Sequence, residues 1–163
     1  MQPELIVDIS GLAELKRAEV SGGELVLGAL VTHADIEDGR TADVTRGAMR
    51  AVAANIAYRA VRNRGTIGGS LSHADPAADW ISALSALGAR VTLRSLSGAR
   101  TMAVEDFVVG ALESALHAGE VVEAVHVPAR PASAHWGYAK SCRKTGEFAH
   151  AIGAVLILSL IHI

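Results

Sequence analysis

Cysteine occurs once in this 163-residue chain, as Cys142. No internal disulfide can form, and no set of thiolates can hold zinc or an iron–sulfur cluster. Aromatic residues make up only 4% of the chain, too few for a base-stacking platform. Neither sign of charge dominates. Lys and Arg number 15 against 17 Asp and Glu, a net charge of −2, which leaves no electrostatic footprint for nucleic acid or an anionic membrane surface. The most apolar run, Ala151–Ile161, is interrupted by Ser159. A membrane-spanning helix needs about 20 apolar residues, so the run reads as a buried strand. The opening MQPELIVDIS lacks a basic segment leading into an apolar one, and so reads as no signal peptide. A lone thiol and no leader imply a cytoplasmic setting.

Half of the residues are hydrophobic, enough for a substantial core in one domain or two small lobes. The pattern predicts strands at Leu5–Ile9, Leu25–Leu30, Arg90–Leu96, Glu120–Val127, His135–Ser141 and Ala151–Leu160. Arg100–Val104 reads as the return strand after a Ser97-Gly98 turn. Gly22-Gly23 between two apolar runs predicts a hairpin, and Thr32 a helix cap before Ala34-Asp35-Ile36. Met49, Val52, Ala53 and Ile56 share one helical face, predicting a helix over Arg46–Ala57. A second helix, Ala77–Leu87, opens after Pro76 and closes at Gly88. Many short strands without regular βαβ alternation indicate an α+β fold.

Chemistry concentrates in VRNRGTIGGSLSHADPAADW, residues 61–80. In Arg64-Gly65-Thr66-Ile67-Gly68-Gly69-Ser70, adjacent glycines permit positive φ and expose backbone N–H groups. Successive N–H groups in such a turn make an anion-binding concavity, and Thr66 and Ser70 add hydroxyls. Neither GxGxxG nor GxxxxGK[ST] occurs, so the Rossmann and P-loop readings lack their motifs. A plain turn and a phosphate cradle both fit this stretch alone. Downstream, His73, Asp75 and Asp79 are candidates to meet ribose hydroxyls, while Asp75 before Pro76 equally fits a helix cap and Asp79 a solvated side chain. His73-x-Asp75 and Glu147-x-x-His150 lack partners at catalytic-metal spacing, and no GxSxG elbow supports a hydrolase. Cys142, beside Arg143 and Lys144, fits either a reactive thiol or a half-buried structural one. His33, His117, His126, His135 and His162 stand singly and read as ordinary surface or core residues.

The 61–80 segment closely resembles the signature of the FAD-binding medium subunits of the molybdenum hydroxylases, the xanthine dehydrogenase and carbon monoxide dehydrogenase family. PELIVDISGLAEL, LVLGALVTHADI, LGARVTLRS, GEVVEAVHVP and HWGYAKSCRKTGEFAHAIGAV are similar to family segments in family order. Together they span most of residues 3–155. The resemblance implies an α+β, two-lobed FAD-binding fold with mixed or antiparallel sheets and flanking helices. It assigns Thr66-Ile67-Gly68-Gly69 to the FAD pyrophosphate, with Ser70 where the family often has Asn. His73, Asp75 and Asp79 fall on one cofactor wall, Lys140 near the isoalloxazine, and Ile56 and Val122 at apolar positions of the flavin pocket.

The implied role is electron transfer. Molybdopterin and iron–sulfur clusters belong on partners, a large molybdenum-cofactor subunit and a small iron–sulfur subunit. Electrons pass to FAD and on to NAD or another acceptor, with no general base required here. Relative to the family, residues 1–155 read as a partial FAD-binding domain, lacking the first Gly-rich loop and the C-terminal domain. Residues 156–163 read as a non-native tail. The rival functions are a stand-alone FAD-linked oxidase of similar fold and a non-enzymatic interaction module.

Overall fold

The computed structural model describes residues 4–158. Its centre is a five-stranded antiparallel sheet in the order β1-β2-β7-β3-β4. The strands are β1 (Ala18–Ser21), β2 (Glu24–Gly28), β3 (Arg90–Ser95), β4 (Gly98–Ala103) and β7 (Val121–Pro128). Gly22 and Gly23, at φ 59° and 80°, form the two-residue turn between β1 and β2, where positive φ at both positions matches the strand twist. β2 then pairs with β7, Leu25 opposite Val127 and Leu27 opposite Val125.

One face of this sheet is the core floor. Leu25, Leu27, Val91, Leu93, Val122, Val125 and Val127 are all buried. Along β7 the inward positions skip from Val122 to Val125, a break in the two-residue period. The register explains it: Leu93 pairs with Val122 and Thr92 with Ala124, leaving Glu123 as the extra residue of a bulge. The displaced Glu123 carbonyl accepts the N–H of Ala29, just past β2, at 2.9 Å.

The helices cover that floor. They are α1 (His33–Glu37), α2 (Ala48–Ala54), α3 (Arg59–Arg62), α4 (Ile67–His73), α5 (Asp79–Ala86) and α6 (Val104–Phe107). Trp80, Leu84 and Leu87 face inward as the spacing predicts, and Gly88 ends α5 at φ 60°. Thr32 caps α1 in a full capping box with Asp35. A small hairpin, β5 (Val108–Gly110) with β6 (Glu113–Ser114), follows α6. A long hairpin, β8 (Ala134–Ser141) with β9 (Ala151–Leu158), packs on α5 and α2.

Several expectations are corrected. Leu5–Ile9 forms no strand; Leu5 and Ile6 are exposed. A β-rich composition gives a strand only where a neighbour supplies the ladder, and no described strand runs beside this segment. The helix predicted at Arg46–Ala57 shortens to α2, because Gly47 and Ala57 sit at positive φ, 87° and 41°. α5 begins two residues later than predicted, since Asp75 and Pro76 belong to a turn in which the Asp75 carboxylate accepts the Ala77 N–H. The Gly-Gly stretch is helix α4, not a loop, and neither Gly68 nor Gly69 uses positive φ. Residues 156–158 continue β9 in unbroken register with Trp136, His135 and Ala134, as the strand expected over Ala151–Leu160 implies; 159–163 lie outside the described residues.

A 3-10 turn, Ala13–Lys16, lies directly on β2 at Gly28. A Cβ there would stand 2.2 Å from the Leu15 carbonyl oxygen. Backbone cannot rotate away as a side chain can, so Gly28→Ala is expected to cost about 1–3 kcal/mol of stability. An equilibrium urea titration measures it as a lowered midpoint.

Candidate functional site

The approach of α4 to the sheet shapes the main cleft. The backbone runs into α4 through a bridge between Thr32 and Thr66, with His33 N–H on the Gly65 carbonyl and Ile67 N–H on the Val31 carbonyl, both at 3.0 Å. One residue on, Gly68 N–H donates to the Ala29 carbonyl at 3.0 Å. A Cβ on Gly68 would lie 2.5 Å from the Ala29 Cβ. The second face of the Gly-Gly pair looks outward: Gly69 is exposed, and its N–H is capped by the Thr66 hydroxyl at 3.1 Å.

Above this outward face lies an open cleft of about 490 Å³. Gly65, Thr66, Gly69 and Ser70 form one side; Ile56, Ala57, Val61, Ala78 and Phe148 give it an apolar flank. His33, Arg64, His73, Asp75 and Asp79 supply the polar groups. Of the residues singled out in the sequence, Ile56, Thr66, Gly69, Ser70, His73, Asp75 and Asp79 therefore share one cavity.

Four do not line it. Ile67 is fully buried on the inner side of α4, and Gly68 is pressed on Ala29. Val122 points into the sheet core opposite Leu93, because the Glu123 bulge turns it inward. Lys140 opens instead onto a neighbouring cavity with Asn55, Tyr58 and Cys142. The expected nest of free N–H groups is corrected as well. The Ile67 and Gly68 donors are spent on the Val31 and Ala29 carbonyls just past β2, and the Gly69 N–H on the Thr66 hydroxyl, which leaves the Thr66 and Ser70 hydroxyls for the cleft.

Asp79, for which the sequence left a cofactor-facing and a solvated side chain both open, is the hub between the two cavities. Its carboxylate accepts from Lys140 Nζ at 2.9 and 3.2 Å and from the Tyr138 hydroxyl. Lys140 also donates to the Asn55 carbonyl at 3.2 Å. The Asp79 and Lys140 side chains are only 6% and 8% exposed, so this is a buried pair satisfied by further hydrogen bonds. Burial, reinforced by the Asp79 charge, pushes the Tyr138 phenol well above its ordinary range and keeps it a donor. The pair fastens the β8–β9 hairpin to the first turn of α5.

His33, set aside as an ordinary residue in the sequence, reaches the same cleft from α1. It is 5% exposed, and its Nδ1 accepts the Trp80 Nε1–H at 3.0 Å. Burial pushes its pKa down to about 4, with Asp79 opposing the shift and Arg62 adding to it. Arg59 and Arg62 are committed to Glu37 and Asp38, and Arg62 also holds the Ile56 and Ala57 carbonyls at 2.9 and 3.1 Å. Arg64 makes no ion pair among the described residues. Val61 and Arg64 belong to the 61–80 segment but were not singled out there, whereas His33 and Phe148 reach the cleft through chain crossings distant in sequence.

A nucleotide carrying an apolar ring system and a pyrophosphate needs such a combination: an apolar flank, a wall free of side chains, hydroxyl donors and an uncommitted cation. The residues present fit FAD. Residues 1–130 match the family model described as "FAD binding domain in molybdopterin dehydrogenase". The chain belongs to this family. It is 36% identical over 156 residues to the nicotine 6-hydroxylase medium subunit of Paenarthrobacter nicotinovorans, covering 96% of this chain and 54% of that one. It is 33% identical to the carbon monoxide dehydrogenase medium chain of Hydrogenophaga pseudoflava, again covering 96% and 54%. A solved carbon monoxide dehydrogenase from Hydrogenophaga pseudoflava superposes with a TM-score of 0.89 at 34% identity, over 96% of this chain and 54% of its own. Quinoline 2-oxidoreductase from Pseudomonas putida 86 gives 0.84 at 37%, over 90% and 51%. The chain thus spans about half the length of these relatives. As in them, the FAD-binding domain is α+β with antiparallel sheets.

Two outcomes follow from this geometry. Asp79→Ala strands a buried ammonium, so it is expected to cost about 3–5 kcal/mol, whereas Asp79→Ala with Lys140→Met recovers part of the loss. Chemical denaturation of both variants measures the difference. The second outcome is a pH slope. His33 has a folded pKa of about 4, below its ordinary value of about 6.5. The unfolded chain therefore takes up the proton first as pH falls. The stability contributed by neutral His33 is complete above about pH 6.5 and declines by about 1.4 kcal/mol per unit toward pH 4. His126, also depressed by burial, works in the same direction. His33→Gln is expected to flatten the stability profile between about pH 6.5 and 4.5, as read by urea midpoints across that range.

Proposed function

We propose that this chain is the FAD-holding part of a molybdenum-hydroxylase-type dehydrogenase, an oxidoreductase in which electrons reach FAD from iron–sulfur clusters and leave to NAD or another acceptor. The observation that carries the reading is the cleft wall at Gly65, Thr66, Gly69 and Ser70. It is stripped of bulk and faced by an apolar flank, in a chain whose family is defined by FAD binding.

Bound FAD supplies the redox chemistry, because no side chain here carries electrons. The chain's residues bind and orient. Thr66 and Ser70 offer hydroxyls, Gly69 a surface without Cβ, and Arg64 a guanidinium for the phosphates. Ile56, Ala57 and Val61 keep water from an apolar face, and His73 and Asp75 stand at the polar rim. Asp79 meets the cofactor with a carboxylate already oriented by Tyr138 and Lys140. Lys140 acts through Asp79. Ile67, Gly68 and Val122 serve the same site from below, by packing.

The partners in this reading are a large molybdenum-cofactor subunit and a small iron–sulfur subunit, in keeping with the "medium" subunit names of the relatives. Among the described residues, no three His, Cys, Asp or Glu side chains gather as a metal site, and Cys142 is a free thiol. A cytoplasmic setting suits that thiol. No described helix is long and apolar enough to cross a membrane.

Gly69→Val tests the cleft directly. A Cβ at Gly69 would meet only the Thr66 hydroxyl, at 2.9 Å, whereas one at Gly68 meets the Ala29 backbone. Gly69→Val is therefore expected to weaken FAD binding by at least about ten-fold, the worth of one or two hydrogen bonds, with a modest change in melting midpoint. Gly68→Val is expected to lower the midpoint first. FAD titration of the folded protein, followed by flavin fluorescence, measures both; full affinity in well-folded Gly69→Val overturns the assignment.

A further inference from the structure

His33 offers the cleft a donor of defined identity. Its Nδ1 accepts the Trp80 Nε1–H. Indole nitrogen is only ever a donor, so Nδ1 carries no proton, and the proton of the neutral ring sits on Nε2. The ring is held on its other edges as well. Its backbone N–H donates to Gly65, and Gly65 has no Cβ to collide with it: one would lie 2.8 Å from both Cδ2 and Nε2. The capping box of Thr32 and Asp35 holds the first turn of α1 beneath it. Nε2 itself has no hydrogen-bond partner among the described residues, although His33 is 95% buried by its 5% exposure and lines the cleft. Nε2 is not among the fully buried polar atoms left without a partner, so the small exposed part of His33 includes this nitrogen on the cleft that the residue lines. A donor that opens onto a ligand cleft exchanges water for an acceptor when the ligand binds.

We propose that His33 Nε2–H donates a hydrogen bond to an acceptor atom of the flavin nucleotide, its tautomer locked by Trp80. The inference rests on the reading of the cleft as an FAD site. A neutral donor orients without adding charge, which distinguishes it from Arg64 at the same cleft. Burial keeps the ring neutral, and the charged groups acting on it, Asp79 and Arg62, oppose one another. Trp80 is thereby more than core filling: fully buried in α5, it sets which nitrogen of a residue 47 positions away carries the proton.

Three variants of the protein test this, each followed by melting midpoint, FAD affinity and nitrogen NMR of the imidazole. In the wild type without FAD, NMR is expected to show the Nε2–H tautomer between about pH 5 and 8. His33→Phe fills the space without a donor and is expected to bind FAD about ten-fold more weakly. His33→Gln, whose amide both accepts from Trp80 and donates, is expected to recover most of that loss. Trp80→Phe keeps the imidazole but frees its tautomer; it is expected to show both tautomers and a few-fold weaker FAD binding. It also carries the test where His33→Phe does not fold. An Nδ1–H tautomer in the wild type overturns the lock. Unchanged FAD affinity in folded His33→Phe overturns the donor and leaves the proposed function standing on Gly69. A wild-type protein that binds no FAD overturns the proposed function itself, and the donor's ligand with it.

Discussion

The contact between Gly68 and Ala29 is the constraint on which the rest of the cleft depends. Helix α4 meets the segment leaving β2 backbone to backbone, with Gly68 N–H on the Ala29 carbonyl and Ile67 N–H on the Val31 carbonyl. Ala29 is itself held by the bulged carbonyl of Glu123 in β7. One irregularity in a central strand thus sets the height of a helix, and the helix sets a wall. Any side chain at 68 would lift α4 off the sheet, and Thr66, Gly69 and Ser70 would move with it.

A second fixed point works across the cleft. Asp79 begins α5 and ties it to β8 through Lys140 and Tyr138. A buried ion pair is weak evidence for stability, because desolvation offsets much of the attraction. Its value here is geometric. Two oxygens take three hydrogen bonds, so the carboxylate has little freedom left, and the hairpin carrying Phe148 between its strands is anchored where it closes the cleft's apolar side. The charges of α1 and α3 do similar work, because Arg62 holds Glu37 and two carbonyls of the link that carries Ile56 and Ala57.

The elements legible in advance were those with a local cause. The β1–β2 turn follows from two glycines, the α1 cap from Thr32 and Asp35, and α5 from Trp80, Leu84 and Leu87 on one face. The missed elements lacked one. Helix α4 carries two glycines, a poor helical sequence by propensity, and forms because only glycine lets it lie on Ala29. Leu5–Ile9 has strand composition but no described strand beside it. Val122 looked apolar and available, and an extra residue in β7 turned it inward.

From the sequence alone came the α+β class, the absence of a cysteine-based cluster, and a polar Gly-Gly segment bearing the resemblance to FAD-binding subunits. These rest on composition, period and a contiguous motif, which need no knowledge of distant contacts. Tertiary structure alone decided which face of that motif is open. Ile67 and Gly68 went to the segment leaving β2 and Gly69 and Ser70 to the cleft, because the Val31 and Ala29 carbonyls claimed the first two donors. It also brought His33 beside Trp80 and Lys140 beside Asp79. Those pairings join residues dozens of positions apart, and no local pattern encodes a hydrogen bond between side chains that only the packed core brings within reach.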